Sequence, residues 1–188
     1  MDDMTLLSDI LDKTADLVAG VHESGWDKPT PCSDYTVKDL VGHMVGWSAS
    51  FDAAANGRTP EGDPAAYQAT DKSAAEFRLA VSSIVGGWRD NGTDRTVSLI
   101  GGSDMPGQMV FDMTMMEYLA HGWDLAKGSG QPVPYTEDEA AAVLERAKQG
   151  PMANDEYRGP DKPFGHIVDV PESAPAIERF AGFMGRTP

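Results

Sequence analysis

Glu117, His121 and Asp124 are the residues of this chain whose types and spacing could do chemistry. In the stretch Met113 to Lys127, MTMMEYLAHGWDLAK, a helical period of about 100° per residue puts Met109, Val110, Met113, Met116 and Ala120 on one arc. Glu117, His121 and Asp124 fall inside the same arc, where core side chains are expected. A carboxylate or imidazole is costly to bury unless it is paired or bound to a cation, so the three require a partner. The four-residue step from Glu117 to His121 stacks them one turn apart, about 6 Å between Cβ atoms, and one ion could bridge them. A third donor from a neighbouring helix would complete a facial set, and His43 is the best-placed candidate. Two imidazoles and a carboxylate with an open position match the pattern of catalytic zinc, and they also suit iron, nickel or cobalt. Asp124, three residues beyond His121, is placed to orient that imidazole from behind or to act as a fourth ligand. The competing reading is that the three polar groups hydrogen-bond across a helical core, since a Glu-x-x-x-His spacing also arises by chance on exposed helices.

These residues need helices to hold them. From Met4 to about Val21, Leu7, Ile10, Leu11, Leu17, Val18 and Val21 recur at three- and four-residue steps and predict a first amphipathic helix. His22 falls in or just past its last turn, where a cation complements the helix dipole. Gly25 breaks the helix, and Pro29 to Ser33 make a stiff connector. Within it Cys32 reads either as a small residue packed beneath a helix start or as a reactive thiol near a metal. Thr36 and Asp39 form a capping box that opens a second helix with Val37, Leu40, Met44, Trp47 and Phe51 on one face. His43 lies about 60° from Leu40, at the flank of that face. Taken alone it reads as a satisfied core residue as well as a ligand.

Asn56 to Pro64 is dense in turn formers and long enough to cross the end of a bundle. A third helix is expected from Pro64 or Ala65 to Trp88, with nothing ionisable on its apolar line. Arg95 to Ile100 reads as a short strand or an extended crossover, and Gly101-Gly102 lacks the spacing of a phosphate loop. A fourth helix, Gly107 to Lys127, carries the polar arc and is expected to stop at Gly128 and Gly130. Thr136 and Glu139 cap a fifth that ends at Gly150-Pro151. The last segment, with Phe164, Ile167, Val168 and Val170 before a helical run of Ala176 to Met184, is too apolar for a disordered linker and is expected to pack back on the bundle. His166 within it reads as a surface histidine or as an acid/base group over the open end. Met44, Met113, Met115, Met116, Trp47 and Trp123 read as bundle core, or as the wall of a site for a larger apolar substrate.

Length and composition bound the alternatives. At 188 residues the expectation is one domain, 1–188, able to bury a core without staples. One cysteine excludes an internal disulfide and a cysteine-rich metal site. The 15 Lys+Arg against 30 Asp+Glu give a formal net charge of -15, which opposes nucleic acid and an anionic bilayer. With no leader and no apolar run of membrane-spanning length, a cytoplasmic protein is expected. No G-x-S-x-G elbow supports a serine hydrolase.

Trp26-Asp27-x-Pro29-Thr30-Pro31-Cys32, running into Tyr35-Thr36-Val37-x-Asp39-Leu40-x-x-His43, resembles the first conserved block of the actinobacterial DinB-like metal-binding proteins, relatives of mycothiol-dependent maleylpyruvate isomerase. Glu117-x-x-x-His121-x-Trp123-Asp124-Leu125-Ala126 resembles their second block, and Phe164-Gly165 through Val170-Pro171 to Gly185-Arg186-x-Pro188 resembles the tail of a small single-domain subgroup. The resemblance implies an all-α DinB-like four-helix bundle of up-down-down-up order, with a long crossover between helices two and three. By position it implies that His43, Glu117 and His121 are the two-histidine, one-glutamate metal set. In the mycothiol-dependent relatives the metal binds the cofactor thiol as a thiolate, lowering its pKa. The isomerase carries a further C-terminal domain for which a single 188-residue domain leaves no room, so maleylpyruvate itself is not the expected substrate. The expectation is a divalent-metal-dependent enzyme, with zinc foremost and nickel, iron or cobalt as alternatives, monomer or homodimer, that activates a low-molecular-weight thiol such as mycothiol for transfer to or isomerisation of a small electrophile. Metal-bound water in a hydrolase, a lyase or a biosynthetic enzyme, and a non-catalytic metal staple, are the alternatives.

Overall fold

The computed structural model of the protein describes residues 1–99, 104–159, 162 and 164–188. Ile100, at the end of the segment that reads as extended, and Gly101-Gly102, which lack phosphate-loop spacing, lie outside the described residues. The chain divides into two compact units, Met1–Pro132 and Val133–Pro188.

The first unit is a four-helix bundle of α1 (Asp3–Ala19), α2 (Val37–Ala55), α3 (Ser73–Asn91) and α4 (Gly107–Ser129). Helices α1 and α2 each pack on both α3 and α4, so α1 and α2 take opposite corners. Its interior is built from Leu7, Ile10 and Leu11 of α1, Leu40 and Met44 of α2, Phe77, Ile84 and Trp88 of α3, and Phe111, Tyr118 and Trp123 of α4, all buried. Full burial of an aliphatic or phenylalanine side chain contributes about 1.5–3 kcal/mol, and the three- and four-residue spacing of these residues is what makes each segment helical. Asp2 caps α1 through the Thr5 amide, and the Thr36–Asp39 capping box opens α2. The first helix stops at Gly20, before the expected Val21, so exposed His22 stands beyond it, ahead of a short 3-10 turn at Glu23–Gly25.

The crossover differs from expectation. Helix α3 begins at Ser73, not at Pro64 or Ala65, because Pro64–Ala66 forms only a 3-10 turn and Tyr67 then turns extended. That segment lies flat on α2 where two glycines one turn apart, Gly42 and Gly46, present no side chain. A Cβ on Gly46 would overlap the Pro64 carbonyl and approach Tyr67 Cβ to 3.2 Å, and one on Gly42 would meet Tyr67 O at 3.2 Å. Between α3 and α4 an antiparallel pair, β1 (Thr96–Ser98) and β2 (Asp104–Pro106), adds the small extended element.

Gly128 is not the stop of α4. The helix runs on to Ser129 and ends at Gly130, whose φ of 78° is left-handed. Gly128 instead accommodates the 29–36 connector, since a Cβ there would meet Thr30 Cγ2 at 2.9 Å and Pro29 O at 3.1 Å.

The second unit holds α5 (Glu137–Gln149) and α6 (Ala176–Phe183), which pack on each other. The Thr136–Glu139 capping box starts α5. Glu137 accepts the Ala176 amide at the start of α6, and Val168 N donates to Gly182 O at 2.9 Å. Arg158 is buried, donating from Nε to Met152 O at 2.7 Å and stacking over the Phe183 ring. His166 belongs to this unit, its ring beside Gly159. Among the described residues no helix is long and apolar enough to cross a membrane.

Candidate metal centre

Helix α4 is buried almost all round its middle turns, so the polar arc read from the sequence does point inward. The i, i+4 pair Glu117 and His121 faces α2 at the turn that carries His43. Glu117 Oε1 lies 2.9 Å from His43 Nε2 and 3.6 Å from His121 Nε2. One donor atom from each of the three falls within 4.8 Å of the others. Three ligands about 2.0–2.2 Å from a tetrahedral zinc ion stand roughly 3.3 Å apart, and the two carboxylate–imidazole separations bracket that distance.

The surroundings determine which ring nitrogens face inward. Asp124 is fully buried, and its Oδ2 accepts from His121 Nδ1 at 3.1 Å. With the proton held at Nδ1, the Nε2 lone pair of His121 is turned toward the Glu117 oxygen. Two electron-rich atoms facing each other at 3.6 Å are stabilised by a cation between them. On the other side Tyr35 OH lies 3.1 Å from His43 Nδ1. Burial, reinforced by Cys32 and Glu117, pushes the Tyr35 hydroxyl above its ordinary value, so it is a neutral donor at pH 7. A hydroxyl both donates and accepts, and Tyr35 can therefore partner either tautomer of His43. The residues thus fit a divalent cation with nitrogen and oxygen ligands.

The site is not sealed. Glu117 and His43 side chains are 26% and 18% exposed, whereas that of His121 is 10%. A cavity of about 300 Å³, bordered by Tyr35, Lys38, Gly42, His43 and Tyr67, opens beside His43. A larger hollow of about 540 Å³ between α2, α3 and the crossover contains none of the four candidate residues. Trp47 packs near His43, ring centroids 6.2 Å apart. Met44, Met115, Met116 and Trp123 are buried core, while Met113 and Trp47 are half-buried.

Two neighbours of the set had no role in the sequence reading of the spacing. Tyr35 stood only inside a motif, eight residues before His43 in a loop with no period to place it. Cys32 reads from the sequence either as a packed small residue or as a thiol near a metal, and the structure brings its sulfur close to His121 and Asp124.

The family model described as mycothiol maleylpyruvate isomerase N-terminal domain matches residues 7–126. Two proteins of Mycobacterium tuberculosis, from different strains and both described as uncharacterized, are each 33% identical over 184 residues, covering 94% of this chain and 93% of their own. Among solved structures, a histidine-to-alanine mutant of the mycothiol-dependent maleylpyruvate isomerase is similar with a TM-score of 0.64 at 16% identity, over 92% of this chain and 77% of that one. The unmutated isomerase is similar with a TM-score of 0.60 at 15% identity. This is the DinB-like fold expected from the resemblance. The share of this chain that is matched exceeds the first unit, so the likeness of fold continues into the second.

Proposed function

The chain belongs to the mycothiol maleylpyruvate isomerase N-terminal domain family, and from that premise we propose that it is an enzyme in which His43, Glu117 and His121 hold a divalent cation, zinc by preference, to activate mycothiol for transfer to or isomerisation of a small electrophile. The observation that carries this reading is the convergence of two imidazole nitrogens and one carboxylate oxygen within 4.8 Å. A cation bound there would hold a thiol as its thiolate at neutral pH. The chain's own residues supply the rest. Asp124 keeps the His121 proton on Nδ1 and so keeps Nε2 available. Tyr35 steadies the His43 ring from Nδ1. Glu117 supplies the negative charge that favours a cation over a neutral guest. The half-open walls formed by Tyr35, His43 and Tyr67 leave room for a small molecule, which favours catalysis over a sealed metal staple.

Metal analysis of protein purified without chelator tests the assignment. The wild type is expected to carry close to one ion per chain, and His43→Ala and His121→Ala are expected to lose it. Full occupancy in both variants would overturn the site. Adding mycothiol to the cobalt-substituted protein should produce a sulfur-to-cobalt charge-transfer band, and its absence would remove the thiol from the proposal.

A further inference from the structure

Cys32 is the one thiol of the chain, and it does not stand alone. Its sulfur, a ring nitrogen of His121 and a carboxylate oxygen of Asp124 lie within 4.8 Å of one another. This second set shares only His121 with the first. We propose that Cys32, His121 and Asp124 form a separate site for a thiophilic divalent cation, such as cadmium or excess zinc, and that filling it disables the first site through the shared imidazole.

The second set is positioned by packing, not by chance exposure. The 29–36 connector is closed on itself by a bridge between Pro29 and Thr36. The Thr30 hydroxyl lies 2.9 Å from both the Cys32 and Tyr35 carbonyls, and Tyr35 N donates to Cys32 O at 3.0 Å. That closed loop rests on α4 at Gly128, where a side chain would collide with Pro29 and Thr30. Gly128 is one helical turn beyond Asp124, so seating the loop there delivers Cys32 to the Asp124 side of His121. Asp124 and His121 are both buried, while Cys32 is half-buried, which leaves an approach from its side.

Donor chemistry separates the two sets. Nitrogen, nitrogen and oxygen in the first suit zinc, iron, nickel or cobalt, whereas sulfur in the second selects for thiophilic ions. His121 presents its Nδ1 edge to Asp124 at 3.1 Å. A cation bound there takes the Nδ1 lone pair, so the single ring proton moves to Nε2, where it faces Glu117, and the Cys32 thiol gives up its proton to solvent as the metal–nitrogen and metal–sulfur bonds form. The Asp124 hydrogen bond that orients His121 toward the first set is then gone. The second site stands on this geometry alone; only its inhibitory effect rests on the proposed function.

Cadmium titration of the full chain tests it, read by the ultraviolet thiolate-to-cadmium band and by cadmium NMR. The His43→Ala chain, which lacks one ligand of the first set, should still bind cadmium stoichiometrically with that band. Adding Asp124→Asn should weaken this binding by at least about tenfold. In the wild type the cadmium resonance of the second site should couple both to the Cys32 β protons and to a His121 ring proton. A thiolate band whose affinity is indifferent to Asp124→Asn, a resonance coupled to Cys32 alone, or no band at all would each overturn the proposal. Cys32→Ser should keep the cobalt or zinc of the first set, so a chain that holds no metal there reports failure of the first assignment separately.

Discussion

Replacing Asp124 by asparagine removes one charge and almost no volume from the position behind His121. The carboxylate is fully buried and its Oδ2 stands 3.1 Å from His121 Nδ1. A hydrogen bond to a charged group is worth about 1.5–3 kcal/mol against about 0.5–1.5 for a neutral pair, so an amide that still presents its oxygen loses about 1–1.5 kcal/mol. That corresponds to a five- to tenfold weaker hold on the ring in its ligating orientation. If the amide turns its NH2 group to the ring, the proton moves to Nε2, facing Glu117, and metal affinity falls by up to about 100-fold. The expected result is a 5- to 100-fold rise in Kd for cobalt or zinc, measured by competition with a chelator. The measurement belongs in a Cys32→Ser background, so that only the histidine–glutamate set takes the ion. Thermal melts of the metal-free chains check that the fold survives. A Kd within about twofold of the parent would refute the claim that Asp124 orients His121.

Gly46→Ala should lower stability by about 1–3 kcal/mol, because the new methyl group meets the Pro64 carbonyl and the Tyr67 Cβ, neither of which can swing aside as a flexible side-chain end would; an unchanged urea midpoint would contradict the close approach. Tyr118 is fully buried, with its hydroxyl donating to Met44 O at 3.2 Å, and burial pushes it well above the ordinary value of 10.0. The folded state therefore keeps the proton after the unfolded chain has lost it, and this contribution is complete below pH 10 and drains away as pH rises beyond it. Tyr118→Phe should cost about 1 kcal/mol at neutral pH and make the alkaline fall in the urea midpoint shallower. An alkaline limb as steep as the wild type's would refute the linkage.

What could be read from the sequence was whatever a local period controls. Glu117, His121 and Asp124 share one helix, so their common face follows from 3.6 residues per turn and needs no knowledge of the rest of the chain. The apolar lines of α1 to α4 and the capping boxes at Thr36 and Thr136 are local in the same sense. Contacts between segments were decided only by tertiary structure. The 2.9 Å approach of His43 to Glu117 joins residues 74 apart, and it depends on how α2 crosses α4. The glycines show the difference most directly. Gly130 ends α4 by its own backbone conformation, whereas Gly128, which looks the same in the sequence, serves a loop from residues 29–36. Gly42 and Gly46 likewise acquire a purpose only when the crossover lies on them, and that seating delays the start of α3 to Ser73. A glycine's missing side chain matters only against its neighbour, and the neighbour is supplied by the fold. For the same reason Cys32 and Tyr35, in a loop without a period, reach His121 and His43 only once that loop has come to rest on α4.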